Sequence, residues 1–184
     1  MTIATPTLAA ATAPSNAPNN VPMVGPMAGP AISPERRLWA QDFCTRAASL
    51  SPATVEAFAA QYHPQATFSD PFQTVVGRPA IAQAYQSMFG ALREPRFSDL
   101  QAAWTDPETL AIRWVFRFSV SARGPETALP GTSWLRLDPA SGLICRHEDH
   151  WDASAFFGAF PGIGAVVRWL KSRVAHAGSV TQTG

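Results

Sequence analysis

The stretch Leu110-Ala111-Ile112-Arg113-Trp114-Val115-Phe116-Arg117-Phe118-Ser119-Val120 decides the fold. Its even positions are apolar throughout: Leu110, Ile112, Trp114, Phe116, Phe118 and Val120. Its odd positions include Arg113, Arg117 and Ser119. Side chains alternate across a strand, so a period of two describes an antiparallel strand with one face buried and the other wet. Asp106-Pro107-Glu108 reads as the turn before it, which makes residues 97–105 its hairpin partner. Downstream, residues 132–137 and 143–151 read as two more strands, joined by the turn Asp138-Pro139-Ala140-Ser141-Gly142.

Upstream the period changes to that of a helix. Ser33 is placed to cap a helix that begins at Pro34, with Leu38, Trp39, Phe43, Ala47 and Leu50 at helical spacing. Ser51-Pro52 opens a second helix with Val55, Phe58, Ala59 and Tyr62 on one face, and His63-Pro64 ends it. Residues 66–72 form a short strand. Arg78-Pro79 opens a third helix striped by Ile81, Tyr85, Met88, Phe89 and Leu92. Near the end, residues 163–174 make an amphipathic helix with Val166, Val167, Leu170 and Val174. Helices first and a meander of strands after them give an α+β fold.

The chain has 184 residues, 14 Lys and Arg, 13 Asp and Glu, and a formal net charge of +1. That balance argues against a charge-driven nucleic-acid binder or a polybasic membrane anchor. The charge is unevenly spread: the first charged residue is Glu35, and a proline recurs at every fourth position from Pro14 to Pro34. Residues 1–33 therefore read as a disordered, partly polyproline II tail, residues 34–176 as the domain and residues 177–184 as a flexible end. No run approaches the ~20 apolar residues of a membrane span. The two cysteines, Cys44 and Cys145, make no disulfide framework, so a reducing cytoplasm is the expected setting.

Face assignment finds a candidate site. In residues 143–151 the odd set, Leu143, Cys145, His147, Asp149 and Trp151, is the apolar one, yet it carries His147 and Asp149. In residues 66–72 the face of Phe68 carries Asp70. A buried carboxylate without a partner costs several kcal/mol or takes up a proton. Ionisable groups on inward faces therefore point to a pocket with acid–base chemistry, and Asp70, His147 and Asp149 are the candidate catalytic residues. Two bland readings compete. Ser69-Asp70-Pro71 is good turn chemistry, and His147 and Asp149 would also satisfy each other or pair with an arginine such as Arg113. No metal is expected, because His147 and His150 point to opposite faces of a strand and two ligands are too few for a closed zinc site. Cys145 shares the inward face and reads as core.

Three segments resemble the nuclear transport factor 2-like superfamily, in its ketosteroid isomerase and SnoaL-like (polyketide cyclase-like) branch. They are Tyr62-His63-Pro64-Gln65-Ala66-Thr67-Phe68-Ser69-Asp70-Pro71-Phe72, Val76-Gly77-Arg78-Pro79-Ala80-Ile81, and the strand end Asp149-His150-Trp151-Asp152. The resemblance implies a cone, a cystatin-like α+β barrel: three N-terminal helices on a curved antiparallel sheet around an apolar pocket, followed by a C-terminal helix. It also implies homodimers through the outer sheet face. Asp70 falls where ketosteroid isomerase has its general base, and Asp149 where SnoaL-like cyclases place an acid–base aspartate. That isomerase's oxyanion hole joins a tyrosine to a protonated aspartate. The matching positions here are Phe43 and Ser133, so the same oxyanion hole is not expected. The implied occupant is a small apolar carbonyl compound, held by Phe43, Tyr62, Phe68, Trp114, Phe116, Ser133, Leu135 and Trp151, with isomerisation or aldol-type cyclisation and no cofactor. A non-catalytic binding or dimerisation module is the main alternative, and epoxide hydrolysis through Asp70, Arg113 and Asp149 a further one.

Overall fold

The computed structural model describes residues 32–160 and 162–177, with side chains described as far as Ser172. The tail expected over residues 1–33 and the end expected over residues 177–184 lie outside the described residues except at their inner boundaries. In chain order the elements are α1 (Pro34–Ala48), α2 (Val55–Ala59), β1 (Tyr62–Ser69), β2 (Thr74–Val76), α3 (Arg78–Ala91), β3 (Arg93–Trp104), β4 (Thr109–Ser119), β5 (Thr127–Leu137), β6 (Ile144–Trp151), α4 (Ala153–Gly158) and α5 (Ile163–Ala177).

The strands form one sheet in the order β2-β1-β6-β5-β4-β3. It is open, with β2 and β3 at its edges. Its pairs are antiparallel except β1 with β6, which run parallel, so the sheet is mixed where an antiparallel one was expected. The curvature has a local cause in β3. Its register against β4 slips twice, and Glu94 and Asp99 take φ of 50° and 55° beside those slips. Such bulges bend and twist a strand.

The alternation of β4 holds: Leu110, Ile112, Trp114, Phe116 and Phe118 are all buried on the inner face. β5 continues that face with Leu129, Ser133, Leu135 and Leu137. Phe43 of α1, Phe58 of α2, and Ile81 and Tyr85 of α3 cover it.

The second helix is shorter than expected, and Tyr62 opens β1 instead of extending that helix. The residue before Pro64 is driven toward extended backbone. The extended chain is then captured on both sides: Ile144 donates its N–H to the Gln61 carbonyl, and Arg78 binds the Tyr62 carbonyl through Nε at 3.0 Å and Nη2 at 2.6 Å. This explains the Gly77-Arg78-Pro79 motif. Gly77 has a φ of 92° that favours glycine, donates to the Ala66 carbonyl, and sends Arg78 back onto β1 as α3 begins.

After β6, Asp152 caps α4. Its Oδ1 accepts the N–H groups of Ser154 and Ala155, and its Oδ2 takes the Lys171 ammonium of α5 at 3.1 Å. Chiefly the hydrogen bond that the Ser154 hydroxyl gives to Oδ1, and then the Lys171 bond, lower its pKa from 3.8 to about 2. A lowered folded-state pKa means stability that is present above the unfolded value and lost as pH falls through about 2. Asp152→Ala is expected to lower stability by about 1 kcal/mol at neutral pH. Paired denaturant curves at pH 7 and pH 2 check this, and the gap between the two proteins should close at the lower pH.

Candidate acid–base site inside the curved sheet

Strand β6 builds the site by breaking its own alternation. Its pairing with β5 runs Arg136 to Arg146 but Leu137 to Ile144, a slip of one residue. The bulge lets Ile144 and His147 both face inward, at 0% and 3% exposure. Cys145, expected inward, is displaced by it. The thiol sits half-buried on the outer side with Sγ 3.3 Å from the Arg136 carbonyl. Beyond the bulge His147 and Asp149 face inward, as expected, while Arg146 and Glu148 pair on the outside.

Ser133 lies directly across from Asp149 on β5. Trp114 Nε1 stands 2.7 Å from Ser133 Oγ, and Ser133 Oγ 2.5 Å from Asp149 Oδ1. An indole N–H only donates, so Ser133 accepts from Trp114 and gives its own proton to Asp149. His147 Nε2 lies 2.8 Å from the same Oδ1, and its Nδ1 2.6 Å from the Tyr62 hydroxyl. Opposite a carboxylate, Nε2 is the nitrogen that carries the proton, which leaves Nδ1 to accept from Tyr62. The Tyr85 hydroxyl completes the chain 3.3 Å from that of Tyr62. Burial, with the Asp149 charge adding to it, pushes both phenols well above their ordinary range, so they remain donors. Both arms of the network end on Asp149 Oδ1. No hydrogen bond from the described residues reaches Oδ2.

A cavity of 270 Å³ opens beside it. Its apolar wall includes Phe68, Phe72, Met88, Phe116, Trp151 and Phe156, and its polar groups are Asp70, Gln73, Tyr85, Ser87 and Asp149. A deeper void of 20 Å³, room for one water molecule, is lined by Phe43, Trp114, Ser133 and His147 and shares Tyr85 and Asp149 with the cavity. Asp149 therefore lines both spaces, as Phe97 also does. Tyr62 packs behind His147 with its ring stacked 5.8 Å away, and Leu135 is fully buried and lines neither space.

Asp70 reaches the cavity from its rim, just past the end of β1. Its Oδ1 accepts the N–H groups of Phe72 at 2.7 Å and Gln73 at 2.9 Å, and its Oδ2 lies 3.4 Å from Gln73 Nε2. Asp70 is thus both a turn cap and a wall residue. Arg113 projects from the other face of β4 and is exposed. The Asp70–Arg113–Asp149 set does not assemble, and Arg113 does not pair with Asp149. Strand alternation is the reason: Ile112 and Trp114 take the inner face and exclude Arg113 from it.

Tyr85, Gln73 and Phe156 were not among the expected site residues. A signal for Tyr85 existed. The chain has 11 Phe but only two Tyr, and both hydroxyls are buried and bonded to each other. Tyr62→Phe is expected to destabilise the fold by about 1–3 kcal/mol, because it strands a buried His147 Nδ1. Urea denaturation measures the loss, and an unchanged midpoint would contradict the network.

With this geometry in place, residues 41–147 match the sequence pattern of the SnoaL-like domain. The chain belongs to the SnoaL-like domain family. No curated protein matches it by sequence. Solved structures share the fold at low identity. A protein with a ketosteroid isomerase-like fold from Catenulispora acidiphila, in complex with trimethylamine, is 16% identical over 64% of this chain and 91% of its own, with a TM-score of 0.57. A candidate SnoaL-like polyketide cyclase from Shewanella denitrificans is 15% identical over 69% and 97%, with a TM-score of 0.55. TerC, co-crystallised with polyporic acid, is 16% identical over 65% and 96%, with a TM-score of 0.53. These SnoaL-like and isomerase-like neighbours fix the fold. Among the described residues no helix is long and apolar enough to cross a membrane, and no three potential metal ligands cluster.

Proposed function

We propose that this SnoaL-like protein is an acid–base enzyme that takes a proton α to the carbonyl of a small apolar compound, leading to isomerisation or aldol-type cyclisation. One observation carries the reading. Asp149 is held through Oδ1 by His147 and Ser133 at the edge of an apolar cavity, and Oδ2 stays open. The two hydrogen bonds fix the carboxylate's rotamer, so the base is oriented before substrate arrives. The C–H electron pair moves onto the carbonyl oxygen as Oδ2 takes the proton. Tyr85 lines the same cavity, and its hydroxyl is a candidate donor to that oxygen when it exchanges its bond to the Tyr62 hydroxyl for one to substrate. The proton then returns at another carbon in an isomerisation. In a cyclisation the enolate carbon attacks a second carbonyl carbon, whose π electrons move onto its oxygen, and that alkoxide takes the proton back from Oδ2. Both routes run on side chains of this chain. Asp149 is the better base than Asp70: each takes two hydrogen bonds on Oδ1, but Asp70 Oδ2 also lies 3.4 Å from Gln73 Nε2, and Asp149 is the more buried of the two.

The alternative is a non-catalytic binding module, favoured by how fully His147, Ser133 and Asp149 satisfy each other. Two fold neighbours, obtained with trimethylamine and with polyporic acid, support a small-molecule occupant in either case. Deuterium exchange at the α-carbon of 2-tetralone, followed by proton NMR, separates the readings. Exchange accelerated by the protein and lost in Asp149→Asn supports catalysis, whereas binding without acceleration supports the module. We also propose a homodimer through the outer sheet face, where Trp134 is 42% exposed, and a cytoplasmic setting. Sedimentation equilibrium tests the dimer.

A further inference from the structure

The described residues that line the cavity carry charge of one sign only. Asp70 and Asp149 face it, and no Lys, Arg or His is among them. His147 lies in the inner void, where its Nε2–H is spent on Asp149 Oδ1. Of the described cations, Arg78 is bonded to the Tyr62 carbonyl and Lys171 to Asp152. The rest of the wall is largely aromatic. At the rim beside Asp70, Phe72 meets Trp151 and Phe156 with ring centroids 4.8 Å and 5.1 Å apart. Deeper in, Phe97 meets Phe116 at 5.0 Å. Ring faces attract cations, and an apolar wall strengthens any charge interaction it surrounds. A carboxylate or phosphate entering this space meets two like charges and no partner. The Tyr85 pKa is raised chiefly by burial, then by the neighbouring Tyr62 and the Asp149 charge, with Asp70 adding least.

We propose that the cavity is selective for an organic cation, and that its substrate is a small carbonyl compound that is apolar except for a protonated or quaternary amine. The ammonium group sits at the rim, against Asp70 and the Phe72, Trp151 and Phe156 rings, and the α-carbon lies at Asp149. The two carboxylates thereby divide the work. Asp70 needs no free oxygen for proton transfer and acts as a fixed charge, which leaves Asp149 Oδ2 to act as base. Anionic and phosphorylated carbonyl compounds are excluded by the same field. The assignment of the carbonyl rests on the catalytic reading above; the preference for a cation does not.

The test uses the full chain and three probes of similar shape: phenyltrimethylammonium, tert-butylbenzene and benzoate. Ligand-observed NMR at low salt gives their affinities. The ammonium probe is expected to bind about tenfold more tightly than the hydrocarbon, and benzoate weaker than either. Asp70→Asn should reduce the ammonium preference to about twofold. Asn keeps an Oδ1 that accepts the Phe72 and Gln73 N–H groups, so the turn is preserved. Equal affinity for ammonium and hydrocarbon, tight benzoate binding, no binding of any probe, or a preference unchanged in both Asp70→Asn and Asp149→Asn would each overturn the proposal. Failure of 2-tetralone exchange with cation selectivity intact strikes only the base assignment. Exchange intact with a flat probe series strikes only the selectivity.

Discussion

Asp149→Asn is expected to lower kcat/KM for α-proton transfer by about 10³-fold, within the ~10²–10⁴-fold that a positioned general base contributes. The substitution is isosteric. Its Oδ1 still accepts from Ser133 Oγ and His147 Nε2, so the local geometry has every reason to persist. What changes is the second atom. A carboxylate oxygen that no described residue hydrogen-bonds becomes an amide nitrogen that takes no proton. Weakening two hydrogen bonds to a charged acceptor costs about 1–2 kcal/mol of stability, small beside the catalytic loss. Stability and turnover measured on the same preparation therefore discriminate. A folded, ligand-binding, inactive variant assigns the base. A variant whose stability falls by more than ~4 kcal/mol with activity tracking the folded fraction assigns Asp149 to structure. Full activity in Asp149→Asn removes it from the chemistry altogether.

How much of this was legible in the sequence follows from the range of the forces involved. The β4 alternation is local, and it placed five inner-face side chains correctly. The same parity argument placed His147 and Asp149 inward, which is the core of the site. It failed at Cys145 because a bulge set by the pairing of β6 with β5 shifts parity by one residue, and nothing in the β6 segment alone announces it. The helical spacing failed at Tyr62 because the helix-to-strand boundary is held by Arg78, 16 residues away. β2 and α4 were not anticipated either. Three residues and six residues are too short for a period to register, and α4 depends on the Asp152 cap. Arg113 was excluded from the site by the alternation already in hand. Tyr85 needed a different kind of evidence: that its hydroxyl meets Tyr62 across the core follows only from packing α3 onto the sheet.

Gly131→Ala is expected to destabilise the protein by about 2–3 kcal/mol and to disable the site, although residue 131 does not itself line the cavity. The reason is space. A Cβ at Gly131 would fall 2.2 Å from Trp114 Cη2, 2.5 Å from Cζ3 and 2.6 Å from Cζ2. The two residues are direct partners across β4 and β5, and the indole lies over the glycine. Trp114 is only 4% exposed and is packed edge-on against Phe97 at 5.3 Å, so the ring has little room to move. Any displacement lengthens the Nε1 contact with Ser133, which holds Asp149. A strained strand and a loosened base thus share one cause. Two comparisons isolate it. In a Trp114→Phe background the smaller ring frees the space, and the further cost of Gly131→Ala should drop below about 1 kcal/mol, a coupling that a double-mutant cycle reads directly. Gly90→Ala in α3, where the added Cβ meets nothing within 4 Å, should instead raise stability by about 0.5–1 kcal/mol. If Gly131→Ala is neutral, or its cost is undiminished in the Trp114→Phe background, the contact between this glycine and the indole does not govern the strand pair.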